Sequence, residues 1–206
     1  MKGRCIIISG SPEFEPPAPD SDDYIIACDS GYLNAVKADI TPDLLIGDFD
    51  SYLGTIKAGI DVIRASAVKD DTDTMLAVKF ALNKGYRSFA LYGATGGRLD
   101  HQAANIAAGA YIAENGGLCE LIDNRNRMIL FKNSSVTLPS EKNKSVSIFS
   151  YTDCCHGVTL KGLKYELNNA SLTNTVPLGV SNEFNGEPAF VEVKSGILLI
   201  ILSDLR

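Results

Sequence analysis

Short apolar segments alternate with helix-forming segments over the first 124 residues of the chain. Segments with the length and composition of strands cover residues 4–9, 23–28, 44–46, 61–64, 88–92 and 118–122. Apolar residues recur at helical spacing between several of them, and the last helix pattern ends at Asn115, before Gly116-Gly117. Such alternation produces βαβ units, in which helices cover a parallel sheet. The sequence therefore predicts a layered α/β domain over residues 1–124.

The pattern changes at about Asn126, where helix signals end and Gly, Asn and Pro recur as turn residues. The apolar segments become short, β-branched and alternating, at residues 128–131, 135–138, 145–151, 158–160, 189–193 and 197–202. Alternation with period two is typical of antiparallel strands with one buried face. We therefore predict a small all-β domain over residues 125–206, an antiparallel sandwich or barrel-like structure.

The composition limits the class of partner. The 206 residues are 45% hydrophobic and 21% charged, with a formal net charge of −6. This is the composition of a soluble globular protein, and its acidic balance disfavours a nucleic-acid backbone as partner. A small phosphorylated substrate stays compatible, because a bound metal supplies local positive charge.

Cysteine usage and the apolar runs predict a cytoplasmic protein. The five cysteines are an odd number without disulfide-framework spacing, which fits a reducing compartment. Residues 5–9 are too short an apolar run for a signal peptide, and residues 197–202 are too short to span a membrane. Cys154-Cys155-His156 is interpreted as strand or turn rather than a metal site, because adjacent cysteines chelate poorly.

Chemically active residues follow four of the predicted strands. They are Asp29, the pair Asp48 and Asp50, Asp73 across a short loop, and the segment that contains Arg98 and Asp100. In open α/β sheets ligands bind at the carboxyl ends of the strands. This coincidence is the main reason to predict an active site.

Asp48 and Asp50 flank a single residue, so in extended backbone their side chains point the same way. Two neighbouring carboxylates repel each other unless a cation lies between them, and oxygen ligands suit Mg²⁺. The alternative is a polar loop in which Asp50 or Ser51 caps the next helix. The motif alone supports both interpretations equally.

Residues 93–97, Gly-Ala-Thr-Gly-Gly, expose backbone N–H groups at a predicted helix start and form a possible phosphate cradle. For the glycines alone a tight turn is favoured, but Arg98 beside them suits bidentate phosphate contact. Asp100 is a candidate N-cap as well as a chemical group, and His101 is favoured as a hydrogen-bonded helix-start residue. Lys69 is equally a phosphate contact or a solvated loop lysine.

Taken in order, these segments resemble the thiamine pyrophosphokinase family. The most specific matches are Gly-Asp-Phe-Asp-Ser at 47–51 and Gly-Gly-Arg-Leu-Asp-His at 96–101, with further matches at 27–31, 71–73, 162–165 and 178–184. The resemblance covers nearly the whole chain; Ser30 and Tyr32 depart from it, standing where many members have glycine or a small residue.

The resemblance implies transfer of a pyrophosphoryl group from ATP to the hydroxyl of thiamine, giving thiamine diphosphate and AMP. It implies that Asp48, Asp50 and Asp73 hold Mg²⁺, that Arg98 neutralises the phosphates, and that Asp100 orients or deprotonates the hydroxyl. The implied substrate contacts are Asp29, Ser51, Lys69, Thr72, Thr95, Gly96 and Gly97 for the nucleotide, and Ser181 and Asn182 for thiamine. A homodimer with a site shared between subunits is implied as well.

Two other functions fit parts of the pattern. An apolar strand ending in Asp-x-Asp also opens the haloacid-dehalogenase-like phosphatases, where the first Asp is a nucleophile. There the motif belongs on the first strand, whereas here it follows about the third. A non-enzymatic thiamine or nucleotide sensor would not need so many acids around a phosphate cradle. Ser181 and Asn182 have an alternative of their own, a turn between strands.

Overall fold

The computed structural model describes residues 2–49, 56–65 and 70–205. It contains three helices in these ranges, α1 (Gly31–Lys37), α2 (Asp73–Asn83) and α3 (Leu99–Glu114). The strands up to residue 122 are β1 (Cys5–Ile8), β2 (Tyr24–Cys28), β3 (Leu44–Gly47), β4 (Asp61–Arg64), β5 (Ser88–Tyr92) and β6 (Leu118–Ile122). The later strands are β7 (Asn126–Lys132), β8 (Ser135–Leu138), β9 (Lys144–Ser150), β10 (Cys154–Lys161), β11 (Leu167–Thr173), β12 (Gly179–Glu183), β13 (Ala189–Glu192) and β14 (Ile197–Asp204).

The chain divides into two compact units. The first unit comprises residues 1–112 and 119–124, and the second comprises residues 113–118 and 125–206. The mixed α/β class with a separate antiparallel sheet is confirmed. Among the described residues no helix is both long and apolar enough to cross a membrane.

The strands of the first unit have the order β6-β5-β1-β2-β3-β4. The pairs β5·β1, β1·β2, β2·β3 and β3·β4 are parallel. β1 and β3 are buried along their whole length, as expected for strands covered on both faces. The carboxyl ends of the five strands β1 to β5 therefore lie at the same edge of the sheet.

Helix α2 illustrates how local sequence sets an element boundary near the site. The Thr72 side chain accepts a hydrogen bond from the Met75 N–H at 3.1 Å, which is a typical N-cap. Asp73 in the first turn adds a favourable charge at the positive end of the helix dipole. The helix therefore begins at Asp73, and its first turn lies at the cavity formed by the ends of β1, β2 and β5.

The Pro- and acid-rich loop between β1 and β2 is anchored, although its composition predicts mobility. The Ser11 N–H donates to the Gly93 carbonyl at 2.9 Å, and Phe14 packs against the apolar core of the first unit. The Arg4 guanidinium pairs with Asp23 at 2.7 Å. These contacts bring residues 9–12 of the loop to the site.

The second unit contains two antiparallel layers that share one apolar core. One layer has the order β12-β9-β14-β7 and the other β11-β10-β13-β8. Alternate residues of β9 and β14, including Ile148 and Ile200, pack with Val158, Leu160 and Val191 of the other layer. The sequence pattern did not identify β11 and β12. Ser181 and Asn182 both lie in β12, so the alternative of a turn between strands at these residues is wrong.

Candidate active site

A cavity of about 710 Å³ lies in the first unit at the carboxyl ends of the parallel strands. This volume is in the usual range for a cofactor-sized ligand. The lining comes from the ends of β1, β2 and β5 and from the starts of α2 and α3, and includes Ser9, Ser11, Asp29, Thr72, Asp73, Gly93, Gly96, Gly97, Arg98, Asp100, His101 and Asn105. The structure thus brings together residues that the sequence distributes over almost 100 positions.

The surroundings of Asp29 disfavour the ionised form of its carboxylate. It follows β2 in a left-handed conformation with φ of 44°. Within the described residues its Oδ1 is buried and has no hydrogen-bond partner. Burial raises the pKa of Asp29; backbone N–H groups of Ser30 and Phe49 oppose this rise, and the negative charges of Asp48 and Asp73 add to it.

Close approach of β2 and β3 brings Asp29 and Asp48 near each other. A Cβ atom at Gly47 would lie only 3.0 Å from the Asp29 backbone, so a larger residue there would require this backbone to shift by a few tenths of an ångström. Asp48 follows Gly47 directly and is half-buried. Asp48 follows β3 and Asp73 begins α2, and the charges of both contribute to the raised pKa of Asp29, so the three carboxylates lie close enough to interact.

These residues suit a hard cation. An unpaired buried carboxylate oxygen and mutually repelling carboxylates are what a divalent ion relieves. Mg²⁺ needs only one or two protein carboxylates when substrate phosphates and water complete its shell. Within residues 2–49, 56–65 and 70–205 no three ligand-type side chains form a complete metal cluster. The predicted partner Asp50 lies outside these ranges, as do Ser51 and Lys69.

The glycine-rich segment 93–97 forms one wall of the cavity. Gly96 has φ of +76°, and a Cβ there would lie 2.7 Å from the Glu13 carboxylate. Thr95 is almost fully buried, and its hydroxyl donates to Asp123 at 2.7 Å. The amide of Asn105 donates to the Ala94 carbonyl at 2.7 Å. The side chain of Thr95 is thus directed at Asp123, while the glycines line the cavity.

Arg98 and Asp100 form an exposed ion pair at the start of α3. Arg98 Nη2 lies 2.5 Å from Asp100 Oδ2, and Nε lies 3.1 Å from Oδ1. The bidentate bond to Arg98 holds the pKa of Asp100 below its usual range. Asp100 lies inside the first turn of α3 and bonds the His101 N–H at 2.9 Å. Its position in the helix is therefore past the N-cap.

The thiamine contacts implied by the resemblance lie in the second unit. Ser181 is exposed, has φ of 59°, and stands where the register between β12 and β9 shifts. Asn182 is buried, and its amide donates to the Tyr165 carbonyl at 2.7 Å. The amide oxygen accepts the N–H groups of Tyr165 and Glu183, each at 3.0 Å. The Asn182 side chain therefore holds the backbone of residue 165.

Sequence reasoning missed several polar residues of the first unit that shape the cavity. Asn34 is buried in α1 and donates to the carbonyls of Ser9 and Ser11, at 2.9 and 3.0 Å. The side chains of Asn105 and Asp123 make hydrogen bonds to Ala94 and Thr95 of the glycine-rich segment. For Asn34 and Asn105 the available signal was a polar residue at a helix position where the periodicity predicts an apolar one, and Asp123 lies outside any helix.

A glycine-rich strand-to-helix segment and converging carboxylates beside one cavity are the arrangement of an α/β phosphotransferase. Comparison with known proteins identifies the family. Residues 18–117 match the model of the thiamin pyrophosphokinase catalytic domain, and residues 134–198 match that of its vitamin B1 binding domain.

Known relatives cover the whole chain. The thiamine pyrophosphokinase of Bacillus subtilis is 30% identical, and the match covers 98% of this chain and 99% of that protein. A crystal structure of the Bacillus subtilis enzyme superposes with a TM-score of 0.89 at 29% identity, covering 98% and 99% of the two chains. The corresponding structure from Geobacillus thermodenitrificans gives 0.86 at 28% identity, covering 98% of each chain.

The chain therefore belongs to the thiamine pyrophosphokinase family. The reaction of this family transfers the pyrophosphoryl group of ATP to thiamine.

Proposed function

We propose that the cavity of the first unit binds ATP and Mg²⁺ for the pyrophosphoryl transfer that the chain catalyses as a family member. The observation that carries this proposal is the convergence of Asp29, Asp73 and the glycine-rich segment on one cavity. The carboxylates would hold the metal, and the glycine-rich segment would receive the phosphates. Thr72, Gly96 and Gly97 line the same cavity and are proposed nucleotide contacts.

Asp48 and Asp73, together with Asp50, would hold Mg²⁺, with Asp29 as a further ligand. The unpaired Oδ1 of Asp29 supports this assignment. When bound, the metal neutralises charge on the triphosphate. The remaining tasks fall to the side chains of the chain itself, which must orient the two substrates and accept a proton.

The thiamine hydroxyl attacks the β-phosphorus of ATP, and AMP leaves. We assign Arg98 to the transferring phosphates, because its guanidinium is exposed and lines the cavity. Asp100 would orient the hydroxyl or accept its proton. Its pKa is held low by Arg98, so the carboxylate is ionised and able to accept a hydrogen bond from the alcohol.

We assign thiamine binding to the C-terminal region, residues 125–206, as a β-sandwich domain separate in sequence from the α/β domain of residues 1–124. The match of residues 134–198 to a vitamin B1 binding domain supports this division. Ser181 is exposed at a β-bulge, a feature that commonly re-aims side chains near active sites. We further propose a homodimer in which each site uses both subunits, and a cytoplasmic location, which five free thiols support.

Product analysis tests the reaction. Purified protein incubated with MgATP and thiamine should form AMP and thiamine diphosphate in equal amounts. Release of inorganic phosphate without AMP would instead indicate a phosphatase, and nucleotide binding without turnover would indicate a sensor.

A mixing experiment tests the shared site. Asp48→Asn and Asn182→Ala subunits, each impaired alone, are refolded together. If sites are shared, one site of each mixed dimer receives two intact halves and activity is partly recovered. Subunit exchange confirmed by mass, with no recovered turnover, would show that each chain carries its own complete site.

A further inference from the structure

Buried polar side chains hold two consecutive residues of the glycine-rich segment. Asp123 Oδ2 accepts the hydroxyl hydrogen of Thr95 at 2.7 Å, and Asn105 Nδ2 donates to the Ala94 carbonyl at 2.7 Å. The exposed fractions are 6% for Asp123, 1% for Thr95 and 9% for Asn105. All three side chains are therefore removed from water.

Burial of such groups is unfavourable unless they are hydrogen-bonded, and a carboxylate is the most costly of them. Leu91, Tyr92 and Ala94 beside them are buried apolar residues, so the region does not depend on polar groups to form a core. A fully bonded polar network, however, fixes one conformation more sharply than apolar packing does. Here the fixed residues directly precede Gly96 and Gly97, whose φ values are +76° and +67°.

Thr95 and Asp123 act from behind the cavity wall. Neither is among the cavity-lining residues in the described part of the chain, whereas Ala94, Gly96 and Gly97 are. The Thr95 hydroxyl therefore does not face a ligand in the cavity, and it acts on the cavity wall through the backbone of residues 94–97.

We propose that Asp123 is a positioning residue of the nucleotide site, which holds Thr95 and thereby keeps the segment 93–97 in the conformation that receives the phosphates of ATP. This inference rests on the proposed function of the cavity. It assigns Thr95 an indirect role in place of direct nucleotide contact. It also adds Asp123 to the residues of the nucleotide site, although the sequence around Asp123 does not indicate a functional role.

The test uses Thr95→Val, which keeps the shape of the side chain and removes its hydroxyl. The dissociation constants of MgATP and of thiamine are measured separately by calorimetry on the full-length protein. We expect the constant for MgATP to rise about tenfold, because the acceptor on Asp123 loses this donor. The constant for thiamine should stay within about twofold. Thr95→Ser restores a hydroxyl and should recover most of the affinity for MgATP.

Two further variants separate this role from alternatives. Thr159 is a matched buried threonine in the second unit, and its hydroxyl oxygen accepts the Asn169 N–H at 3.3 Å. Thr159→Val should leave MgATP binding unchanged. Asp123→Asn removes the charge and keeps an acceptor, so MgATP affinity should change less than in Thr95→Val.

Each failure has its own meaning. If the unaltered protein binds MgATP and Thr95→Val binds it equally well, the positioning role is overturned and the proposed function stands. Equal weakening for MgATP and thiamine would mark Thr95 as a general stability residue and also overturn the inference. If the unaltered protein does not bind MgATP, the proposed function itself is overturned, and the inference with it.

Discussion

The candidate site residues of the two units direct their polar side chains differently. In the first unit, Asp29, Asp73 and Arg98 come from different strand ends and all line one cavity. In the second unit, the most buried candidate residue, Asn182, directs its amide at the backbone of Tyr165 and Glu183. These three side chains face the cavity, whereas the buried amide of Asn182 bonds its own chain, as Asn34 and Thr95 of the first unit also do.

This difference follows from sheet type. The carboxyl ends of parallel strands meet at the same edge, so residues placed after successive strands collect there. Neighbouring antiparallel strands end at opposite edges, so residues that follow them are separated. Polar side chains in such a sheet reach a common site only through bulges and connecting loops, such as the bulge beside Ser181.

The largest effect is expected for Asp48→Asn in the first unit. Loss of this charge weakens the proposed metal site, and turnover should fall by roughly two to three orders of magnitude. The protein should stay folded, because the change also relieves repulsion with Asp29. Steady-state kinetics and thermal unfolding measure both effects. Asp61→Asn, at the exposed start of β4, is the control and should retain full activity. Near-normal turnover of Asp48→Asn would refute the assignment.

Gly96→Ala tests how tightly the first unit shapes its cradle. The new Cβ would meet the Glu13 carboxylate at 2.7 Å, and the alanine would have to adopt a backbone φ of +76°. We expect about a tenfold rise in KM for ATP and a stability loss of about 1–3 kcal/mol. Gly116→Ala is the matched control, because φ there is +74° and a Cβ would contact nothing within 4 Å. Equal effects of both substitutions on KM would contradict a local role for the cradle.

Asn182→Ala tests the second unit. It leaves the N–H and carbonyl of Tyr165 without the side-chain partner they have now. We expect a stability loss of about 1–3 kcal/mol, since backbone groups lose their hydrogen bonds. KM for thiamine should rise several-fold while KM for ATP stays unchanged. Asn174→Ala, an exposed asparagine bonded to Asp153, should change neither value. A selective rise in KM for ATP would reverse the assigned roles of the two units.

The smallest effect is expected for Asp29→Asn on the stability of the ligand-free protein. The pKa of Asp29 is raised above its ordinary 3.8, mainly by burial. Between the ordinary pKa and the raised pKa of Asp29, the folded state binds more protons than the unfolded state, so stability falls as pH rises through this window. At pH 7 the variant should therefore unfold on the order of a few degrees higher than the unaltered protein. Melting curves at several pH values should show this gain disappear below the ordinary pKa, whereas a gain independent of pH would exclude the electrostatic cause.

Much of the fold follows from local sequence. The strands of the first unit lie where the pattern predicts, because the length and apolar period of a strand are contained within each segment. Strands β11 and β12 escaped prediction. Each lies at the end of the strand order of its sheet, where exposed polar residues replace apolar alternation and pairing depends on distant partners.

The candidate site likewise has one part that the sequence predicts and another that only the tertiary structure shows. The sequence by itself determined which residue types follow the strands, because the signals that end a strand are local, and it thereby predicted that Asp29, Asp73 and Arg98 line one cavity. Only the tertiary structure decided which polar atoms face the cavity. Thr95 bonds Asp123 across 28 positions, and Asn182 bonds Tyr165 across 17. Hydrogen-bond partners that far apart are chosen by packing, and no periodicity within either segment encodes them.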